Sequence, residues 1–172
     1  MDTQELAKFR RGKDEFFGTS HHSPLGHADR SGFNGLVYFE PNPGLVFTLR
    51  IEDGDGSEVR FPTTDDAEKV YTNAGTVTFE VEGEEVELTL YETGHPGYFL
   101  PFRDSTSGKT TYGAGRYLDL ERNDDGTVTI DFNYAYNPSC VYGEGFSCPL
   151  PPVNNWLQVP IEAGEKNYPP EA

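Results

Sequence analysis

The chain has 172 residues, enough for a single domain over residues 1–172 that buries its own core, and 13% of its residues are aromatic. Its 29 Asp and Glu residues outnumber its 13 Lys and Arg residues, so the formal net charge is −16. The negative field of such a charge repels phosphate backbones and anionic lipids, which argues against nucleic-acid and membrane partners. An acidic excess of this size is typical of proteins that stay soluble in concentrated salt. An ordinary acidic protein can carry the same charge.

The first predicted element is an amphipathic helix over residues 3–17. Asp2 and Glu5 have the spacing of a capping box at its start, and Gly18 is well placed to end it. An apolar stripe of this kind usually packs on a sheet, which is the role we expect here rather than partner binding. The residues that recur at helical spacing are Leu6, Phe9, Lys13, Phe16 and Phe17.

The same segment bears on where the protein works. Residues 1–17 contain no apolar run and no small-residue cleavage site of the kind that ends a secretory signal. Together with the acidic charge, these features predict a cytoplasmic protein, and specifically one from a halophile.

From residue 33 onward, short β-rich runs are separated by Gly, Pro, Asn and Asp. Consecutive strands with short turns predict a mainly β fold, an antiparallel meander that forms a barrel or a two-sheet sandwich. The predicted organisation is a β-domain over residues 33–133, followed by a wrapping loop and C-terminal segment over 134–172. The nine predicted strands are 36–40, 45–52, 57–61, 68–72, 76–81, 86–92, 98–102, 116–121 and 127–133.

The last two of these strands are predicted to form a hairpin that orients an unusual arginine. Residues 123–126, Asn-Asp-Asp-Gly, have the composition of a type I turn followed by a left-handed glycine. Alternation along the strand puts Arg116 on the apolar face with Leu118. Because arginine keeps its charge, burial there requires a carboxylate or an anionic ligand. Arg116 is therefore either an anion-binding residue or a structural partner of an acid such as Asp104.

Residues 133–155 are too long and too rich in proline for a simple connection, and their aromatic content argues against disorder. We expect this segment to wrap back across the sheet. Its Asn and Tyr side chains either fasten the loop through backbone hydrogen bonds or converge on a pocket at the mouth of the β-domain. In the second case, the ligand-binding residues are Arg116, Tyr112, Asn133, Tyr136 and Asn154.

Cys140 and Cys148 are the two cysteines of the chain, with seven residues between them. This spacing permits a disulfide, a close pair of thiols or two independent buried thiols. It matches no zinc module, and a tetrahedral site would need two further ligands from four histidines. Neither a metal nor a cofactor is predicted.

Catalytic motifs are missing from the sequence, which contains neither G-x-S-x-G nor H-E-x-x-H. The stretch 107–110, Ser-Gly-Lys-Thr, lacks the first glycine of a P-loop, because Arg103 stands at that position. Catalysis remains an alternative in which Asp131 or Asp104 is a general base and Arg116 stabilises negative charge.

Many irregularly spaced residues together resemble one known family, and they are Phe102, Asp104, Thr106, Gly108, Thr111, Tyr112, Gly115, Arg116, Tyr117, Asp131, Phe132, Asn133, Ala135, Tyr136, Asn137, Pro138, Cys140, Cys148, Pro149, Pro151, Pro152, Asn154, Ala163, Gly164 and Glu165. Similar positions occur in the N-terminal half, at Lys13, Asp14, Phe16, Ser23, Pro24, Leu25, Phe33, Gly35, Leu36, Tyr38 and Phe39. The resemblance is to the domain-of-unknown-function 1684 family (DUF1684) and spans residues 11–165. It implies no activity, cofactor or catalytic residue, since none is settled for the family.

The function expected from the sequence is binding of a small anionic ligand around Arg116. A small hydrolase or isomerase that uses Asp131 or Asp104 is one alternative, and a structural or interaction protein without a pocket is another. The sequence does not predict the oligomeric state.

Overall fold

The computed structural model describes residues 1–170. Two helices, α1 (Thr3–Thr19) and α2 (His27–Ser31), precede the strands, and α2 was not predicted. Within the described range the strands are β1 (Val46–Arg50), β2 (Glu52–Asp53), β3 (Glu58–Pro62), β4 (Glu68–Val81), β5 (Glu84–Glu92), β6 (Tyr98–Phe102), β7 (Arg116–Leu120) and β8 (Thr127–Asp131). Short 3₁₀ turns lie at Pro43–Leu45, Phe132–Tyr134, Ser139–Val141 and Val153–Asn155.

The strands form two antiparallel sheets that share one core. The larger sheet has the order β2-β4-β5-β6-β7, with β3 also paired to β4, and the smaller one pairs β1 with β8. Among the described strands the sheets do not close on themselves, so the arrangement is a sandwich rather than a barrel. The mainly β, antiparallel fold is confirmed. Core residues include Val77, Leu88, Leu90, Leu100, Leu118, Val128, Ile130, Phe132, Ile161 and Ala163.

The predicted hairpin between the last two strands is wrong, although its turn is correct. Gly126 has a φ of 86°, and the Asn123 amide donates to the Thr127 carbonyl at 2.7 Å. Beyond this turn, however, β7 pairs with β6 and β8 pairs with β1. The turn is therefore a corner between the two sheets. Both inner faces point into the same core, which is why alternation still predicts the buried side chains correctly.

Other strands also differ from the prediction: residues 45–52 form β1 and β2, which belong to different sheets, and two further differences have local reasons. The predicted runs 68–72 and 76–81 form one long strand, β4, whose register shifts between Asn73 and Gly75. Gly75 has a φ of 138°, so this bulge uses a backbone conformation that glycine adopts readily. Residues 36–40 make a single bridge, between Tyr38 and Glu165, instead of a strand.

Helix α1 begins as predicted and packs only part of its apolar stripe. Asp2 accepts hydrogen bonds from the backbone amides of Gln4 and Glu5, both at 3.0 Å. The helix ends at Thr19, one residue beyond the predicted stop. Its buried residues are Leu6 and Phe17, whereas Phe9 and Phe16 are 47% and 43% exposed.

The segment after β8 wraps around the larger sheet. It bridges Tyr136 to Tyr117, Pro149 to Thr63, and Trp156 to Arg103. These contacts cover the outer face of the sheet, which carries a row of aromatic rings: Phe61, Tyr71, Tyr91, Phe99 and Tyr117.

No helix within residues 1–170 is long and apolar enough to cross a membrane.

Candidate functional site

Arg116 lies at the start of β7, on the inner face, and is 1% exposed. Its Nη2 donates to the Ile161 carbonyl at 2.8 Å, and its Nη1 donates to the carbonyls of Ala163 and Glu165. Asp104 Oδ2 lies 3.6 Å from Nη2. Burial lowers the pKa of Arg116 to about 10, against the opposing effect of the Asp104 and Glu165 charges, so it stays protonated at neutral pH. The contacts of this guanidinium are with the protein's own groups, as the ion-pair interpretation requires, and its ligand-binding role stays a prediction.

Asp104 is also buried and has several donors of its own. It accepts hydrogen bonds from Thr106 Oγ1 at 2.9 Å and from the Ile161 amide at 2.6 Å. Ser107 Oγ donates to it at 3.2 Å. The carboxylate therefore neutralises Arg116 and holds the backbone of the C-terminal segment. A role as general base stays a prediction.

Asp131 lies in a different network. It caps the 3₁₀ turn after β8, where Oδ1 accepts from the backbone amide of Asn133 at 2.9 Å and from Asn133 Nδ2 at 2.8 Å. The buried Asn133 side chain then pairs with the backbone of Asn42, accepting from its amide at 2.8 Å and donating to its carbonyl at 3.0 Å. Both residues fasten the segment before β1 to the end of β8.

The two predicted tyrosines use their hydroxyls on residues other than the arginine. Tyr112 Oη is 3.8 Å from Cys140 Sγ, and burial raises the pKa of Tyr112 to about 12. Tyr136 donates to Asp119 Oδ2 at 2.7 Å, and its pKa is raised by burial and then by that carboxylate. Among the described residues, no hydrogen bond joins either tyrosine to Arg116.

Asn154 donates to Thr89 Oγ1 at 2.8 Å, on the outer face of the larger sheet. Its neighbour Asn155, which the sequence analysis missed, is fully buried. Asn155 accepts from the Thr89 amide at 2.8 Å and donates to the carbonyls of Thr89 at 2.9 Å and Pro101 at 2.8 Å. It completes the backbone hydrogen bonding between β5 and β6. Two adjacent asparagines give no signal in the sequence that tells them apart.

Glu165 is the second residue that the sequence analysis missed as a site residue, and it is 1% exposed. Its Oε1 accepts from the Asn137 amide at 3.0 Å and from the Tyr142 hydroxyl at 2.7 Å, and its Oε2 pairs with Lys13. It joins helix α1, the wrapping loop and the C-terminal segment at one buried point. The chain contains many acidic residues, and no hydrophobic periodicity around Glu165 distinguishes it as the buried one.

Cys140 and Cys148 are free thiols, and Cys148 is buried. Burial is the largest cause that raises the pKa of Cys148. Among residues 1–170, no three His, Cys, Asp or Glu side chains converge in a way that could hold a metal ion.

A concave apolar surface lies along helix α1, and none of these predicted residues lines it. We call it the α1 groove, and its volume is about 790 Å³. Its lining residues are Glu5, Lys8, Phe9, Gly12, Lys13, Phe16, Phe17 and Tyr134.

The α1 groove has aromatic walls and contains an exposed glycine, Gly12. The rings of Phe9 and Tyr134 meet edge to face, with centroids 5.0 Å apart. Gly12 lies between Phe9 and Phe16 along the helix, and a Cβ placed on it would have no neighbour within 4 Å. The apolar stripe was expected to face the core along its whole length, so the groove was not predicted from the sequence.

The helix also differs in charge from the rest of the molecule. Residues 3–19 carry four bases and three acids, in a chain whose net charge is −16. Lys13 is committed to Glu165, while Lys8 makes no ion pair with any residue of the described chain.

Comparison with known proteins adds a family and a related structure. The profile of the family described as "Protein of unknown function (DUF1684)" matches residues 31–166. An uncharacterised protein of Haloarcula marismortui, known from a solution NMR structure, is similar to this chain. The two are 36% identical, the match covers 98% of this chain and 96% of the other, and the TM-score is 0.74. No curated protein matches the chain.

Proposed function

Because this chain belongs to the DUF1684 family, whose function is unknown, we propose a function from its own surface: it is a binding protein for small amphipathic anions, and the α1 groove is the binding site. The proposal keeps the ligand class expected from the sequence and moves its site from Arg116 to helix α1.

The observation that carries the proposal is Gly12. A glycine in a helix interior costs about 1 kcal/mol relative to alanine. Packing within the protein does not require this glycine, because a Cβ would meet no atom within 4 Å. Any larger side chain at position 12 would instead extend into the groove between Phe9 and Phe16. The glycine therefore keeps the groove open at the expense of helix stability.

The size and chemistry of the groove fit a small apolar body. Its volume of about 790 Å³ lies within the range of roughly 300–1,000 Å³ that is usual for small-molecule sites. Phe9 and Phe16 each expose more than two fifths of their surface. A ligand that covered these rings would gain about 25 cal/mol for each Å² of apolar surface removed from water.

Charge favours an anion over a cation at this surface. The groove contains two cations, Lys8 and Lys13, and one acid, Glu5, and Lys13 is already paired with Glu165. The acidic remainder of the molecule repels anions at long range, but at 1 M salt the screening length is only about 3 Å. Under such conditions the charge nearest to a bound ligand determines whether an anion or a cation is preferred. Lys8 is the groove cation whose amine makes no ion pair within the described structure.

The first test replaces Gly12 with leucine and measures binding of 8-anilinonaphthalene-1-sulfonate, an aromatic anion, by fluorescence titration. We expect the wild-type protein to bind the dye and Gly12→Leu to bind it at least about tenfold more weakly, because the leucine occupies the floor of the groove. Leucine also has a higher helix propensity than glycine, so the variant should unfold at the same or higher denaturant concentration. Loss of binding therefore cannot be ascribed to unfolding.

A matched pair of charge reversals tests the anion preference. Lys8→Glu and Arg11→Glu change the charge equally on the same exposed helix, but only Lys8 lines the groove. Lys8→Glu should weaken dye binding, and Arg11→Glu should leave it within about twofold. Unchanged binding by Gly12→Leu would refute the site, and equal losses in the two reversals would refute the local role of Lys8.

We also propose that the protein works in the salt-rich cytoplasm of a halophile. The net charge of −16 supports this, as does the similar structure from the halophile Haloarcula marismortui. Repulsion among excess acids destabilises the compact state until salt screens it. The unfolding temperature should therefore rise between dilute and concentrated KCl by about 5 °C or more, equivalent to roughly 2 kcal/mol for a domain of this size. A temperature independent of KCl would count against salt adaptation.

A further inference from the structure

A second concave surface lies beside helix α2, and none of its lining residues belongs to the α1 groove. We call it the α2 pocket, and its volume is about 420 Å³. Its wall includes the apolar side chains of Leu25 and Val141, the rings of Tyr142 and Tyr168, and the carboxylate of Asp29. Small-molecule sites usually measure roughly 300–1,000 Å³. The pocket is therefore large enough for a small ligand, and it combines aromatic rings with a charged group.

The two rings of the α2 pocket are held by contacts within the protein. Tyr142 packs edge to face on Phe17, with ring centroids 4.9 Å apart, and its hydroxyl donates to Glu165 at 2.7 Å. The centroid of Tyr168 lies 5.4 Å from that of Tyr142 and 6.1 Å from that of Phe33. The faces of such rings carry negative electrostatic potential, which attracts cations. The fold thus brings two cation-attracting groups to one pocket from parts of the chain 26 residues apart.

Asp29 gives the α2 pocket its charge. Its carboxylate makes no ion pair with any residue of the described chain. The neighbouring base, Arg30, is directed elsewhere, because its guanidinium donates to the Ser20 carbonyl at 3.1 Å and lies 3.2 Å from the His27 ring. Asp29 is therefore an acid without a cationic partner in the described structure, at the wall of a pocket that also contains two rings.

We propose that the α2 pocket binds a small organic cation, an alkylated ammonium ion, with Asp29 as its counter-charge and the rings of Tyr142 and Tyr168 as its walls. The alkyl groups would contact Leu25 and Val141. A metal ion fits the pocket poorly, because metal ions need several ligands, and no three His, Cys, Asp or Glu side chains within residues 1–170 are placed to hold one. The inference does not depend on ligand binding in the α1 groove.

The local charge of the α2 pocket is opposite to that of the α1 groove. Its described lining contains one acid, Asp29, and no base, whereas Lys8 lines the α1 groove. At 1 M salt the screening length is about 3 Å, so charges and rings in contact with a ligand outweigh distant charges. The two sites therefore prefer ligands of opposite charge, and each is tested with its own probe.

The experiment titrates the full, isotope-labelled chain with tetramethylammonium chloride and records amide chemical shifts by NMR, with KCl added to keep the ionic strength constant. We expect saturable shifts at residues that line the pocket, such as Ala28 and Gly32. The neutral molecule tert-butyl alcohol, similar in shape, should bind at least about tenfold more weakly, because it lacks the charge that Asp29 and the rings attract. Shifts that do not saturate, or equal binding of the neutral molecule, would overturn the proposal.

Variants that urea unfolding shows to be folded test the residues. Asp29→Asn and Asp124→Asn each remove one exposed carboxylate, but only Asp29 lines the α2 pocket. Asp29→Asn should weaken tetramethylammonium binding at least about fivefold, and Asp124→Asn should leave it within about twofold. Tyr168→Leu keeps an apolar side chain but removes a ring, so it should also weaken binding. Equal effects of the two Asn variants would refute the role of Asp29, and wild-type affinity in Tyr168→Leu would refute that of the rings.

Discussion

Replacing Arg116 with alanine is expected to lower the free energy of unfolding by about 3–5 kcal/mol, one of the largest effects of any single substitution in this chain. The substitution leaves the Asp104 carboxylate buried without its cation. It also removes the donor that the carbonyls of Ile161, Ala163 and Glu165 share. Unfolding by urea at constant, high KCl concentration measures the change without altering the ionic strength.

A matched control is available on the surface. Arg122 pairs with Asp53 at 4.0 Å in an exposed position, so Arg122→Ala should change the free energy of unfolding by no more than about 1 kcal/mol. If Arg116→Ala were equally mild, Arg116 would not be a structural residue, and the anion-binding role predicted from the sequence would be favoured.

The companion substitution, Asp104→Asn, separates the ion pair from the carbonyl contacts. Because it removes the negative charge but keeps a polar side chain, we expect a smaller loss than for Arg116→Ala. The double variant should lose less free energy of unfolding than the sum of the losses in the two single variants, because the cost of an unpaired buried charge is absent when both partners are removed.

Replacing Glu165 with alanine is expected to cost about 3–4 kcal/mol, because the buried carboxylate satisfies three donors at once. The Lys13 ammonium, the Asn137 amide and the Tyr142 hydroxyl all lose their acceptor. Amide hydrogen exchange adds a local readout to urea unfolding. Protection should fall at Asn137 and along helix α1, which loses the ion pair at Lys13.

Two comparisons sharpen this second expectation. Glu162→Ala removes an exposed acid three residues earlier and should be nearly neutral. Glu165→Gln keeps an acceptor oxygen for Asn137 and Tyr142 while it removes the charge, so its cost should lie between the two. If Glu165→Ala behaved like Glu162→Ala, the three elements would not depend on the carboxylate for their attachment.

Arg116 and Glu165 both make contacts that bring distant parts of the chain together, and the partners in such contacts could not be predicted from the sequence. Alternation along one strand was enough to put Arg116 on the inner face. Its carbonyl partners lie about forty-five residues further along, in a segment without periodicity, as the Arg116–Ile161 contact shows. The local pattern of apolar residues predicts which face of a strand a side chain occupies. Its contact partner depends on the tertiary fold, which brings distant segments of the chain together.

The same distinction explains the errors in strand pairing. The turn at 123–126 and the strands on either side of it were predicted correctly, because turn chemistry and alternation are local. The assignment of β7 and β8 to one hairpin was wrong, because β6 and β1 compete for them and pair in register over five residues each. Nothing within the hairpin sequence encodes that competition.

The predicted ligand residues illustrate the limit for sites. Tyr112, Tyr136 and Asn154 were grouped because they share one unusual stretch of sequence with Arg116. In the structure their hydrogen bonds go to Cys140, Asp119 and Thr89, respectively. These partners depend on how the wrapping segment crosses the sheet, which the local sequence does not give, and the shared ligand-binding role stays a prediction.

Helix α1 shows the limit in the opposite direction. The sequence predicted the helix and its apolar stripe but could not tell which part of that stripe the rest of the chain would cover. Tertiary packing buries Leu6 and Phe17 and leaves Phe9 and Phe16 exposed beside Gly12. The α1 groove therefore depends on how the helix packs against the rest of the chain, where Phe17 joins a cluster with Leu25, Leu36 and Tyr142.

The sequence by itself determined the antiparallel β class, the N-terminal helix with its Asp2 cap, and the inward orientation of Arg116. These features depend on the period of hydrophobic residues and on turn and cap residues, which act over a few positions. Only the tertiary structure decided the pairing of β1 with β8, the burial of Glu165 and the open α1 groove, because each depends on contacts between residues far apart in the chain, whose free energy is gained only when the whole domain is folded.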